Sequence, residues 1–131
     1  MDDRNLSRAL NLLKFIEAGA IDAIRDCYAP DAVQIEWPNR IATAGAHRTV
    51  ETLAEDFRKG QRTLASQSFE VMDSIVNDNA VVLEVIWRGA LAIDLGHLCA
   101  GDQMVAHCAI CLRFRDGKIV SQRNYDCFDQ F

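Results

Sequence analysis

Residues 102–128 constrain the fold more tightly than any other part of the chain. Two runs of alternating apolar and polar residues, 102–115 and Lys118–Phe128, meet at Asp116-Gly117. Asp-Gly between such runs predicts a two-residue primed turn and hence an antiparallel hairpin. Upstream, residues 80–92 form a third run rich in Val, Leu, Ile and Trp. Residues 68–76 form a fourth, joined to it by the turn Asn77-Asp78-Asn79.

The first half reads differently. Leu6, Leu10, Leu13 and Ile16 recur at helical spacing over 6–18, with Gly19 where a helix C-cap belongs. Asp22 opens a second short helix carrying Ile21, Ile24 and Tyr28 on one side, and Pro30 ends it. Val33, Ile35 and Trp37 then alternate with Gln34 and Glu36 in a strand closed by Pro38. A third helix spans 49–58, with Val50, Leu53, Ala54 and Phe57 along one stripe. Helices first and an antiparallel meander after them predict an α+β fold, its three helices packed on one face of a curved sheet.

The chain has 131 residues, 50% apolar and 25% charged, which suits one domain over residues 1–131 with a core large enough to fold unaided. Its net charge of -5 and lack of any Lys/Arg cluster argue against a nucleic-acid or anionic-membrane surface, because counterion release needs a basic patch. A small apolar molecule is the expected partner. The N-terminus opens with two acids, and no run of about 18 apolar residues follows. Five cysteines, an odd number in apolar surroundings, read as reduced thiols. Both features point to the cytoplasm.

Carried along the hairpin without interruption, the Asp116-Gly117 turn sets Arg115 against Lys118 and His107 against Asp126. Ala109 and Asn124, and Cys111 and Gln122, share that face. A carboxylate against an imidazole fixes the ring tautomer and raises its basicity, so His107 and Asp126 are candidate proton-transfer groups. The same pair reads equally well as a structural tie. Cys108 and Cys111 of CAIC point to opposite strand faces, and His97, Cys99, His107 and Cys111 match no standard zinc spacing. No metal or cofactor is expected. Glu84 and Arg88 share a face and read as a surface or interface pair. Trp37, Trp87, Tyr28 and Asn124 are candidate substrate contacts. Phosphate loops, nucleophile elbows and dinucleotide fingerprints are absent from the sequence.

The order FIEAGAIDAIRDCYAPDAVQIEWP (residues 15–38), a helix, a long Trp-containing strand and FRDGKIVSQRNYDCFDQF (residues 114–131) resembles the nuclear transport factor 2-like superfamily, in its SnoaL-like branch. The resemblance covers nearly the whole chain. It implies a cone-shaped curved antiparallel sheet around a pocket, three N-terminal-half helices packed over the concave face, and a homodimer formed through the outer face. Isomerases, polyketide cyclases, epoxide hydrolases, dehydratases and binding modules share this cone, so the resemblance leaves both an enzyme and a non-catalytic binding or dimerisation module open.

In ketosteroid isomerases the similar segment carries an aspartate base directly before the proline and a tyrosine on the first helix. Those positions correspond here to Trp37 and about Leu12, so that mechanism is not expected. SnoaL-like cyclases carry an acid–base aspartate on the last strand, and Asp126 matches its place. The expected activity is thus cofactor-independent isomerase, cyclase or dehydratase chemistry on an apolar, carbonyl-bearing molecule.

Overall fold

The computed structural model describes residues 4–131. Two helices, α1 (Arg4–Ala18) and α2 (Ile21–Asp26), precede strands β1 (Tyr28–Glu36) and β2 (Ala46–Arg48). Helix α3 (Val50–Thr63) follows, and then β3 (Leu64–Asn77), β4 (Ala80–Leu91), β5 (Gln103–Arg115) and β6 (Lys118–Phe128). Gly19, at φ +69°, closes α1 in the left-handed conformation glycine adopts freely. Thr49 and Thr52 form a reciprocal capping box that starts α3.

The six strands form one curved sheet in the order β2-β1-β6-β5-β4-β3. The meander β3 to β6 is antiparallel, but β1 lies parallel to β6. The sheet is therefore mixed, a correction to the all-antiparallel expectation. Sequence alternation identifies a strand but carries no information about its direction. β1 also begins earlier than expected, at Tyr28. Pro30 does not stop a helix but sits where the β1–β6 pairing shifts between Tyr28 and Val33, a place that tolerates its missing N–H.

Helices α1 and α3 cover the concave face. The core lies there, with Ala9, Leu12 and Leu13 of α1 packed on Val81, Leu83 and Val85 of β4 and Ile110 and Leu112 of β5. Leu12, the position where the ketosteroid isomerase comparison looks for a tyrosine, is a core residue.

The decisive local feature is in the β5–β6 hairpin. Asp116 and Gly117 both take positive φ, as the primed turn requires, and Arg115 faces Lys118 and Phe114 faces Ile119. Pairing then slips by one, so that Arg113 faces Ser121 and Val120 is the extra residue. Beyond this bulge every partner differs from the uninterrupted register. His107 lies against Cys127, and Asp126 lies against Cys108. A slip of one residue moves side chains to the opposite face, so Gln122, Asn124 and Asp126 turn onto the concave side. The surface or interface pair expected between Glu84 and Arg88 is also replaced, since Arg88 Nη2 bridges to Glu70 Oε1 on β3 at 3.0 Å.

Candidate functional site

Towards the open end of the cone the core gives way to a cavity of about 350 Å³, within the size range of small-molecule sites. Phe69, Trp87, Met104, Ile110 and Phe128 form its apolar wall, and Gln34, Glu36, Gln122, Asn124 and Asp126 form a polar end. A second chamber of about 280 Å³ shares Gln34, Glu36 and Asn124 with the first and reaches Tyr28, Arg48 and Asp56. The alternation of β1 and β6 places these polar groups together. Glu36 is the parallel partner of Asn124 and Gln34 that of Gln122, and Asp126 follows Asn124 on the same face.

The apolar wall is held in shape by edge-on rings and one glycine. Trp87 meets Phe128 at 6.0 Å between centroids and 77° between planes. Its indole Nε1 donates to Gln67 Oε1 at 2.9 Å. A Cβ at Gly89 would stand 2.5 Å from Trp87 Cη2, so glycine lets the indole lie along the strand. At the mouth, Phe131 packs on Phe128 and the Arg40 guanidinium lies over the Phe131 ring.

Two carboxylates at the polar end have opposite surroundings. Glu36 is tied down on both oxygens. Its Oε1 lies 2.9 Å from Arg48 Nη1, and its Oε2 accepts from Asn39 Nδ2 at 2.7 Å. Arg48 is itself committed, with Nε 2.7 Å from Asp56 Oδ2 and Nη1 donating to Gln34 Oε1 at 3.0 Å. Asp126 has no ion-pair partner among the described residues. Burial raises its proton affinity above the ordinary carboxylate range and the Glu36 charge adds to the effect, against a hydrogen bond from the Cys108 thiol and the more distant Arg48. Burial also raises Cys108, and the Asp126 charge pushes it further, so its thiol keeps its proton.

A relay of neutral groups runs beside this pair. The buried Tyr28 hydroxyl donates to Gln122 Oε1 at 2.5 Å, and Gln122 Nε2 donates to Asn124 Oδ1 at 2.9 Å. With its oxygen engaged as acceptor, Asn124 has its amide N–H groups left to donate into the cavity. Burial raises Tyr28 above the usual phenol value, so it stays a donor at neutral pH.

The structure brings together four of the residues expected from sequence. Asp126, Asn124 and Trp87 line the main cavity and Tyr28 the adjoining chamber. It does not bring His107 there. That side chain projects from the outer face, 59% exposed, with Nε2 3.3 Å from Asp129 Oδ1. The Val120 bulge separates His107 from Asp126. Trp37 is 41% exposed and rests against Tyr125 on the outer face, ring centroids 6.1 Å apart. Glu36, Arg48 and Gln122 went unselected from sequence, although strand alternation alone sets Glu36 on the face opposite Trp37.

The model of the SnoaL-like domain matches residues 9–122. No curated protein sequence matches the chain. Among solved structures it is similar to IdmH, a candidate polyketide cyclase from Streptomyces antibioticus, at 20% identity and a TM-score of 0.80, covering 94% of this chain and 91% of that one. A candidate polyketide cyclase from Xanthomonas campestris superposes at 0.78 with 17% identity, covering 93% and 89%. AusH from Aspergillus nidulans superposes at 0.77 with 14% identity, covering 99% and 86%. At these identities the likeness is one of fold.

Proposed function

The chain belongs to the SnoaL-like domain family, and on that premise we propose that it transfers a proton on a small, largely apolar, carbonyl-bearing molecule held in the cleft, with Asp126 as the acid–base group. The reaction class is isomerase, cyclase or dehydratase. One observation carries the reading: a carboxyl group with raised proton affinity, and with no ion-pair partner among the described residues, lines a mostly apolar cavity. A base poised nearer the working pH both accepts and returns a proton efficiently.

In the proposed step, the ionised Asp126 takes a proton from the carbon next to the carbonyl, and the electron pair moves onto the carbonyl oxygen. The amide of Asn124 donates to that oxygen as negative charge builds. The protonated Asp126 then returns its proton to a different atom, which completes an isomerisation or follows ring closure. Trp87, Phe69 and Phe128 hold the apolar body. Tyr28, through Gln122, orients the Asn124 amide. This acid–base cycle balances without a cofactor. The similarity in fold to IdmH and the Xanthomonas campestris protein, both candidate polyketide cyclases, is in keeping with cyclase-type chemistry among these classes.

No helix among the described residues is long and apolar enough to cross a membrane. The five cysteines are all unpaired, a state that a reducing compartment maintains, which supports a cytoplasmic location. Val33, Trp37, Ile75 and Tyr125 are exposed apolar groups, and they support association of two copies through the sheet.

Solvent deuterium exchange tests the reading without knowledge of the natural substrate. A panel of aryl 1,3-diketones is incubated with the protein in D₂O, and loss of the α-proton signal is followed by NMR. Exchange accelerated by the protein and lost in Asp126→Asn, with diketone binding retained, is the expected result. Binding with no acceleration assigns the cleft to a non-catalytic ligand site.

A further inference from the structure

We propose that Glu36 is a positioning residue for the reaction: Arg48 and Asn39 lock it in place as a fixed negative charge on the cavity wall, and that charge makes Asp126 the group that holds and moves the proton. The inference deepens the function proposed above and rests on it for its catalytic meaning.

Three observations converge. The parallel pairing of β1 with β6 sets Glu36 beside Asn124, with Asp126 the next residue on that face, so both carboxylates line one cavity. Both oxygens of Glu36 are engaged, at 2.9 Å by Arg48 and at 2.7 Å by Asn39, so the carboxylate is fixed in position on the cavity wall. Third, Arg48 reaches Gln34 and Asp56 as well as Glu36, which commits the guanidinium to those three partners. The other ionisable groups facing this end are Cys108 from β5, Tyr28 from β1 and Asp56 from α3. The Cys108 thiol and the Tyr28 phenol keep their protons there, and Asp56 is occupied by Arg48. Like charges close together in an apolar site cannot both ionise easily. With Glu36 anchored by its cation, Asp126 is the member of the pair left to hold the proton.

The arrangement predicts shifts of opposite sign from two neighbouring substitutions. Asp126 is followed by NMR on protein labelled with ¹³C at aspartate carboxyl carbons, its signal identified by loss in Asp126→Asn. Glu36→Gln removes the like charge, so the Asp126 midpoint falls towards the ordinary carboxylate value. Arg48→Gln removes the cation, so the midpoint rises. Arg48→Lys keeps the charge and brings the midpoint back towards wild type. In the diketone exchange assay the rise of rate with pH moves in step with each midpoint.

Midpoints unchanged in folded Glu36→Gln and Arg48→Gln proteins would overturn the inference and leave Glu36–Arg48 a structural tie. Should Arg48→Gln fail to fold, Glu36→Gln and Arg48→Lys carry the test alone. The titration needs no substrate, so it is separate from the proposed function. Opposite shifts with exchange intact in Asp126→Asn would uphold the charge arrangement and sink the proton-transfer reading, whereas fixed midpoints with exchange lost would do the reverse.

Discussion

The two faces of the β5–β6 hairpin carry similar chemical groups with contrasting environments. On the outer face, His107 and Asp129 approach to 3.3 Å with side chains 59% and 60% exposed. On the inner face, Asp126 lies against Cys108 in the wall of the cavity. An imidazole looks a better partner for acid–base chemistry than a thiol. Water reverses the ranking, because an exposed pair is screened and worth at most about 1 kcal/mol, while exclusion from water is the largest cause that raises the proton affinity of Asp126. Access to solvent, more than the identity of the strand neighbour, separates a candidate catalytic group from a surface contact.

The largest effect expected from this contrast is on rate. Asp126→Asn should lower diketone exchange by roughly 10²- to 10⁴-fold, the usual contribution of general acid–base catalysis, while His107→Ala should leave it within about twofold, as for other surface changes. Exchange rates measured on the two variants side by side break the comparison if His107→Ala matches Asp126→Asn.

Next in size is a steric change at the wall. Gly89→Ala forces the Trp87 ring from its place, since the new Cβ would stand 2.5 Å from Cη2. It should cost about 1–3 kcal/mol, in the range for overpacking, read from urea denaturation, and it should weaken diketone binding at the same time.

Smaller still is a pH effect on stability. The folded protein raises the affinity of Asp126 for its proton, so the folded state binds that proton more tightly than the unfolded chain does. This contribution is present in full below the ordinary carboxylate range and is lost as pH rises through the folded-state midpoint of Asp126. Urea midpoints across that window should fall less steeply with pH in Asp126→Asn than in wild type. The smallest effect is that of His107→Ala on stability, within about 0.5 kcal/mol in the same urea assay at pH 7.

Much of this could be read from the chain. Helical spacing of Leu6, Leu10, Leu13 and Ile16 gave α1, and Asp116-Gly117 gave the hairpin with its first two pairs as observed. These are local properties, set by periodicity and by the φ values that Asp and Gly accept. Two features depended on distant contacts. The direction of β1 follows from its docking beside β6, on the far side of the meander, and alternation reads the same either way.

The second is the bulge at Val120, and with it the composition of the site. Alternation in Lys118–Phe128 fits two registers, and a single extra residue is invisible in it. Once Ile119 is packed into the core with Phe114 and Leu112, the slip lets Gln122, Asn124 and Asp126 face inward with the apolar side of β5. There Gln122 meets the Tyr28 hydroxyl and Asn124 meets β1. The sequence by itself determined that a carboxylate, two amides and a histidine would lie on two adjoining strands. Only the tertiary structure decided which of them share a cavity, because face selection rests on a one-residue shift fixed by packing between strands far apart in the chain.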